Sequence, residues 1–231
     1  MSITKLEDVR KEDVGTVGGK AANLGELIGM GMPVPEGFVI TALTYPTFYR
    51  DIREAHRELG AEFVAVRSSG IAEDGAKASM AGQHDTYLGC AAAYLIGRVD
   101  DCFRSVNSPR AIAYREENGI TEDRIAVIVQ RMIDPLYSGV LFTADPVDGD
   151  TTKMEMEWVM GTGEKLVSGE TIPASTQWLK HFMPAVPKGS QCLPHLALEI
   201  EGHFGCPQDI EWCVDKEYKL WILQARPITT L

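Results

Sequence analysis

The stretch VAVRSSGIAEDGAKASMAGQHDTYL, residues 64–88, decides how the fold of the chain is interpreted. Its apolar start is typical of a short β-strand, which presents Arg67 near its end. Small residues dominate from Gly70 to Gly82, so backbone N–H groups there can approach a polyanion without obstruction by Cβ atoms. An arginine beside exposed amides suits phosphate oxygens, which accept charge-assisted hydrogen bonds. A surface loop beside a salt-bridged arginine is the alternative interpretation.

A second candidate phosphate contact lies near the N-terminus, where Gly18-Gly19-Lys20 precedes AANLGELIGM. The apolar residues of that segment recur at helical spacing, so Lys20 is expected at a helix start, where backbone donors and the helix dipole favour anions. The triplet lacks the longer glycine pattern of a P-loop, and a solvated lysine is the alternative. Two prolines then end the helix, and Phe38 to Thr41 are expected to form a strand.

A β-hairpin is predicted at the C-terminal end, where residues 209–214 and 219–224 both alternate with period two around a short turn. Alternation places two sets of side chains on common faces: Asp209, Glu211 and Cys213 in the first strand, and Leu220, Ile222 and Gln224 in the second. Carboxylate and amide oxygens are ligands that suit Mg²⁺ on ATP. A surface hairpin with a salt bridge is the alternative.

Five stretches of the chain, taken in order, resemble the nucleotide-binding domain shared by phosphoenolpyruvate synthase, pyruvate phosphate dikinase and rifampin phosphotransferase, an ATP-grasp phosphotransferase family. They are VGGKAANLGELIGMGMPVPEGFVIT (17–41), VRSS with the following ED pair and SMAGQ-x-DTYL (66–88), QRMIDPLYSGVLFTADPVDGD (130–150), GTGEKLVSGETIPA (161–174) and FGCPQDIEWCVDKEYKLWILQARPITT (204–230). The resemblance implies an α+β ATP-grasp fold with two lobes, residues 1–125 and 126–231, and ATP bound between them.

The resemblance also implies roles for individual residues. The residues expected to be catalytic are Lys20, Arg67, Asp209 and Arg226. Those expected to contact ATP are Lys20, Arg67, Gly82, Thr86, Gln130, Met132, Glu211, Gln224 and Arg226. Glu211 and Gln224 are the expected Mg²⁺ ligands, and Gln130 and Met132 are assigned to the adenine pocket. For Gln130 the alternative is a strand end that surfaces into solvent.

In function, the resemblance implies transfer of a phosphoryl group from Mg-ATP to a histidine on a separate swivelling domain, which leaves AMP. That histidine would then phosphorylate pyruvate or another small-molecule acceptor. None of the five histidines of this chain lies in a segment that resembles the phosphoryl carrier, so the chain is expected to be catalytically incomplete alone. Two segments are shorter than in the family, one before VRSS and one between Ala174 and Leu193. A non-catalytic nucleotide-binding regulatory or partner module is therefore the alternative.

Composition limits the partners and the cellular location. With 231 residues and 45% hydrophobic residues the chain can bury a substantial core, and its net charge of −11 argues against nucleic acid or an anionic membrane as partner. The sequence has neither an apolar run of membrane-spanning length nor a secretory signal at its start, so a cytoplasmic location is expected.

Two further clusters have metal-ligating residue types. Five scattered cysteines suit reduced thiols, but Cys192-x-x-His195 and His203-x-x-Cys206 also form a possible zinc set. A helix opened by Pro194 would hold the two histidines apart. The carboxylate-rich segment 145–150 can hold a metal or form a tight turn, and its Asp and Gly residues favour the turn.

Overall fold

The computed structural model describes residues 3–41, 49–71, 86–118, 124–163 and 172–228. They divide into two compact units, the first comprising Met1–Met30 and Pro35–Met132, the second Gly31–Val34 and Ile133–Leu231. The boundary expected from the sequence lay between residues 125 and 126. The units divide after Met132 instead, because the strand Ile125–Arg131 pairs with two strands of the first unit.

The first unit contains a five-stranded antiparallel sheet with the order β1-β2-β5-β3-β4. Its strands are β1 (Ile3–Lys5), β2 (Gly37–Ile40), β3 (Phe63–Gly70), β4 (Thr86–Ala91) and β5 (Ile125–Arg131). The central strand β5 is buried from Ile125 to Gln130, as its β-branched run predicts.

The described part of the first unit also contains four α-helices: α1 (Val14–Gly29), α2 (Tyr49–Leu59), α3 (Leu95–Ser105) and α4 (Pro109–Asn118). Helix α1 contacts β3 and β5, and α3 contacts β3, β4 and β5. Apolar side chains of α2 and α3 join those of the sheet in one core, among them Ile52, Val64, Val99 and Val127. Helix α4 begins as the Ser-Pro pair predicts, because Oγ of Ser108 accepts the N–H of Ala111 at 3.2 Å.

The second unit contains another five-stranded antiparallel sheet, with the order β10-β9-β6-β7-β8. Its strands are β6 (Pro135–Phe142), β7 (Lys153–Met160), β8 (Ala174–Leu179), β9 (Gln208–Asp215) and β10 (Leu220–Pro227). Helix α5 (Leu193–Phe204) contacts β9 and ends at Gly205, which has a left-handed φ of 72°. Leu141, Met156, Ile210 and Trp212 are fully buried on neighbouring strands.

These helices and two antiparallel sheets confirm the α+β class. Among the described residues, no helix combines the length and the hydropathy needed to cross a membrane.

Candidate functional site

Lys20 lies directly after a break in α1. Gly18 has φ 77° and ψ 165°, which divides α1 into two helical segments. Lys20 therefore lies at the start of the second helical segment, as the GGK triplet predicts, although α1 as a whole begins at Val14. The half-buried ammonium of Lys20 lies 3.4 Å from the carbonyl oxygen of Ser68. The fold thus brings the GGK triplet beside the VRSS strand.

Arg67 lies in β3, where it pairs with Ile128 of β5 and with Thr86 of β4. Its side chain is half-buried, and Thr86 is exposed at the first residue of β4. Lys20, Arg67 and Thr86 therefore converge on one part of the first unit. Gly82 and the rest of the small-residue loop, residues 72–85, lie outside the described residues.

Gln130 is buried near the end of β5, with 2% of its surface exposed. Its Nε2 donates a hydrogen bond to the carbonyl oxygen of Pro35 at 3.0 Å. The alternative of a strand end that surfaces into solvent is therefore wrong for Gln130. Met132 follows β5, is half-buried, and donates its N–H to the carbonyl oxygen of Phe63 at 3.0 Å.

The predicted C-terminal hairpin is present, but its strands do not alternate regularly. Gln224 pairs with Glu211 and Arg226 pairs with Asp209, whereas Ile222 pairs with Trp212. The register shifts between Ile222 and Gln224, so Leu223 is an extra residue that forms a β-bulge.

The bulge corrects the face expected for Gln224. Residues directly opposite each other in an antiparallel pair share a face, and neighbours in one strand lie on opposite faces. Gln224 therefore shares a face with Glu211 rather than with Ile222 and Leu220. The expectation from strict alternation was wrong because it did not include the extra residue.

Asp209 and Arg226 form an ion pair on the same face of the hairpin, in which two guanidinium nitrogens approach one carboxylate oxygen. Nε and one terminal nitrogen of Arg226 lie 2.8 and 2.7 Å from Oδ2 of Asp209. Asp209 is only 8% exposed, and its other oxygen, Oδ1, is buried without a hydrogen-bond partner within the described ranges. Burial raises the pKa of Asp209, the charge and hydrogen bond of Arg226 lower it, and Glu211 raises it further.

This donor set fits a hard cation such as Mg²⁺. The carboxylate of Glu211, the amide oxygen of Gln224 and the buried Oδ1 of Asp209 are all oxygen donors on one face. Among the residues that the structure describes, no three or more His, Cys, Asp or Glu side chains are grouped to hold a metal. Magnesium bound here would complete its coordination with water and phosphate rather than within an all-protein cage.

The possible zinc set is not brought together. Within the described part of the chain no metal-binding group includes Cys192, His195, His203 or Cys206. Nε2 of His195 instead lies 3.1 Å from Oε1 of Glu199 in the next turn of α5.

The carboxylate-rich segment is a tight turn, as its composition favours. Oδ1 of Asp145 accepts the N–H groups of Val147 and Asp148 at 2.8 and 3.2 Å, and these bonds hold the pKa of Asp145 below its usual range. The ammonium of Lys153 lies 3.1 Å from Asp148 and 3.2 Å from Asp150. A lysine therefore supplies the positive charge within this turn.

Two serines, one in each unit, were not singled out from the sequence. Oγ of Ser69, two residues after Arg67, accepts the buried N–H of Ala21 at 3.1 Å. Oγ of Ser138 donates to the carbonyl oxygen of Gly161, at the start of the GTGE segment. The sequence indicated their importance only through their positions inside two stretches that resemble the family, VRSS and YSGVLFT.

Comparison with protein families gives a match over most of the chain. The family described as "Pyruvate phosphate dikinase, AMP/ATP-binding domain" matches residues 14–53, 47–192 and 188–231. The match is divided into three segments that overlap at residues 47–53 and 188–192. These two positions lie close to the places where shortened segments were expected.

Similar full-length proteins are longer than this chain. A "Probable phosphoenolpyruvate synthase" of Archaeoglobus fulgidus is 33% identical over 318 residues, covering 100% of this chain and 42% of that protein. A "Rifampicin phosphotransferase" of Streptomyces sviceus is 34% identical over 313 residues, covering 99% of this chain and 36% of that protein. The chain therefore spans less than half the length of these relatives.

Solved structures identify the fold. D-alanyl-alanine synthetase A of Vibrio cholerae aligns with a TM-score of 0.50 at 10% identity, over 92% of this chain and 58% of that protein. The D-alanine-D-alanine ligase of Coxiella burnetii aligns with a TM-score of 0.50 at 9% identity, over 90% of this chain and 47% of that protein. These ligases have the ATP-grasp fold, which confirms the predicted fold for this chain.

Proposed function

Since the chain belongs to the family of pyruvate phosphate dikinase AMP/ATP-binding domains, we propose that it transfers a phosphoryl group from Mg-ATP to a histidine on a separate swivelling domain. The observation that carries this proposal is the placement of Glu211 opposite Gln224, beside the Asp209–Arg226 ion pair. A surface hairpin has no need to bury an aspartate with one oxygen unpartnered in the described residues.

Lys20 and Arg67 supply positive charge from the first unit. Lys20 reaches the carbonyl of Ser68, the residue after Arg67, so the two cations belong to one local arrangement. In our proposal both contact the ATP phosphates, and Thr86 borders the same phosphates. The guanidinium of Arg67 follows the charge that develops on the transferred group, because its planar fork matches phosphate oxygens.

Gln130 and Met132 are assigned to the adenine pocket. The hydrogen bond from Gln130 to Pro35 would hold the Gln130 side chain in one orientation, which suits recognition of a flat base. Measurement of nucleotide affinity tests this assignment.

In the second unit, Glu211 and Gln224 would hold Mg²⁺, which neutralises phosphate charge when it is bound. Asp209 holds Arg226 through one hydrogen bond and a second ion-pair contact, and so fixes the direction of the guanidinium. Arg226 would then contact the transferred phosphoryl group. Phosphoryl transfer requires little covalent chemistry from the protein, so these residues act by positioning and charge neutralisation.

The acceptor of the first step is a histidine nitrogen outside the described site. A nitrogen–phosphorus bond forms as the bond between the bridging oxygen and the β phosphorus of ATP breaks, so AMP leaves and the β and γ phosphates remain on the histidine nitrogen. Water then cleaves the bond between these two phosphates, which releases the γ phosphate as inorganic phosphate and leaves one phosphoryl group on the histidine. Pyruvate or another small molecule would receive the phosphoryl group in a later step on another domain. The relatives' names refer to different products and substrates, which agrees with an acceptor that this domain does not select.

Transfer assays with ATP labelled on its β and γ phosphates test the proposal. The chain alone should bind the nucleotide, hydrolyse it slowly, and retain no label on its own histidines, which are His56, His84, His181, His195 and His203. Addition of a phosphohistidine domain from a relative should transfer label to that domain. The reaction should also release AMP, which carries no label. Stable label on this chain, or repeated turnover with pyruvate and no added domain, would contradict the proposal.

A nucleotide-binding regulatory module is the second candidate, and the broken family match near residues 47–53 and 188–192 is the observation that favours it. Such a module would bind Mg-ATP without consuming it when the histidine domain is added. The production of AMP therefore distinguishes the two functions.

A further inference from the structure

We propose that Ser69 is a positioning residue that fixes Lys20 relative to Arg67. The consequence for phosphate binding rests on the proposed function, whereas the geometric part does not. Ser69 is fully buried in β3, where it pairs with Ala126 of the central strand. A buried side chain on a strand that pairs with the central strand is a rigid reference point for the helix that packs on it.

The contact between Ser69 and α1 is a hydrogen bond to the residue after Lys20. Oγ of Ser69 accepts the N–H of Ala21 at 3.1 Å, and both groups are buried. This N–H belongs to the first turn of the helical segment that follows the Gly18 break, where backbone donors have no partner within their own helix. A serine from a neighbouring strand thus caps this segment, and Lys20 lies inside the capped turn.

Gly18 allows this contact. A Cβ atom at Gly18 would lie 2.3 Å from the carbonyl oxygen of Ser69 and 2.5 Å from its Oγ. Such distances exclude any other residue without movement of β3 or α1. The absence of a side chain at Gly18 and the hydroxyl of Ser69 therefore together set the separation of the helix and the strand.

Arg67 lies on the same side of β3 as Ser69. Alternate residues of a strand share a face, so Arg67 and Ser69 both point toward the side where Ser69 meets α1. Lys20 contacts the carbonyl of Ser68 between them. One buried hydroxyl therefore fixes the helix that carries one cation against the strand that carries the other.

A matched control exists elsewhere in the first unit. Oγ of Ser108 accepts the N–H of Ala111 at 3.2 Å and caps α4, which is the same kind of bond in a helix that carries none of the proposed site residues. Ser108→Ala removes a serine cap without touching Lys20 or Arg67. A purely structural role for Ser69 would make the two alanine variants behave alike.

The test compares Ser69→Ala and Ser108→Ala with the wild-type chain in three measurements. Amide hydrogen exchange at Ala21 reports the cap, amine-reactive labelling of Lys20 reports the position of its ammonium, and calorimetry reports Mg-ATP affinity. Ser69→Ala should speed both exchange at Ala21 and labelling of Lys20, and weaken Mg-ATP binding roughly tenfold, as for the loss of one buried hydrogen bond near a charged group. Ser108→Ala should match the wild type in all three.

The outcomes that overturn the inference differ from those that overturn the proposed function. Unchanged exchange at Ala21 and unchanged labelling of Lys20 in Ser69→Ala would overturn it, whether or not the wild type binds ATP. Normal Mg-ATP affinity despite faster exchange would also overturn it, as would equal losses in both alanine variants. If the wild-type chain does not bind Mg-ATP, the proposed function is wrong, and the exchange and labelling results alone decide the role of Ser69.

Discussion

Gln224 lies directly opposite Glu211 across β9 and β10, although the residue two positions earlier, Ile222, lies opposite Trp212 on the other face of the sheet. The extra residue Leu223 makes both pairings possible. A hairpin that carries Trp212 and Ile222 on one face can therefore place an amide and a carboxylate together on the opposite face. Bulges next to functional sites commonly re-aim a side chain in this way.

The bulge gives a prediction that regular alternation does not. In the double variant Leu223→Gln/Gln224→Leu, the amide moves to the bulge position and leucine faces Glu211. We expect Mg-dependent ATP affinity to fall as far as it does in Glu211→Ala, because either change removes one of the paired oxygen ligands. Calorimetry with and without Mg²⁺ measures the effect.

Glu217→Ala is the matched control for Glu211→Ala, since Glu217 is exposed at the hairpin turn. It should leave the Mg-dependent affinity unchanged. Full affinity in the double variant would mean that the amide at position 223 serves equally well, and the assignment of Gln224 would then be wrong.

Asp209 gives a prediction about pH. Burial raises the pKa of this carboxyl in the folded state, so its contribution to stability is present below the unfolded value near 3.8 and is lost as pH rises through the folded value. Without Mg²⁺, the melting temperature of Asp209→Asn relative to wild type should therefore increase from acidic to neutral pH.

Magnesium should reverse the difference in melting temperature between Asp209→Asn and the wild type at neutral pH. A cation beside Oδ1 favours the ionised carboxylate, so added Mg²⁺ should raise the melting temperature of the wild type at neutral pH and leave that of Asp209→Asn nearly unchanged. Thermal scans at several pH values measure both effects. An equal response of the two proteins to Mg²⁺ would exclude Asp209 from the metal site.

Arg67 is expected to act on transfer more than on binding. Arg67→Lys keeps the charge but loses the planar fork, so Mg-ATP affinity should fall only modestly while phosphoryl transfer to an added histidine domain falls by roughly 10² to 10³. The exposed Arg104, which is paired with Asp101 in α3, provides the control substitution Arg104→Lys. Full transfer activity in Arg67→Lys would show that a point charge is sufficient.

Much of the secondary structure was predictable from local patterns. The alternation in residues 153–160 gave the bounds of β7, Ser108 with Pro109 gave the start of α4, and Pro194 gave the opening of α5. In each case neighbouring residues determine the element, because capping, proline geometry and alternation act over a few residues.

The features that could not be predicted depend on contacts between distant segments. The unit boundary lies after Met132 because β5 pairs with β2 and β3, which a local pattern does not reveal. Gln130 is buried because it reaches Pro35, and the role of Ser69 depends on Ala21. Leu223 has no turn or glycine signal that would mark a bulge.

Gly18 and Gly15 offer a comparison within one helix. A Cβ at Gly18 would lie 2.3 Å from the carbonyl oxygen of Ser69, and its φ of 77° is unfavourable for any side chain, whereas a Cβ at Gly15 meets nothing within 4 Å. Gly15→Ala should therefore raise the free energy of unfolding by about 0.5 kcal/mol through the lower entropy of the unfolded chain.

Gly18→Ala should lower the free energy of unfolding and weaken Mg-ATP binding, because the new methyl group pushes α1 and its Lys20 away from β3. Urea titrations measure the stability of both variants, and calorimetry at low temperature measures the affinity of the folded fraction. Gly15→Ala should keep wild-type affinity, which separates the general effect of an added methyl group from the specific contact. Wild-type stability and affinity in Gly18→Ala would show that helix and strand adjust independently, and that their close approach does not set the position of Lys20.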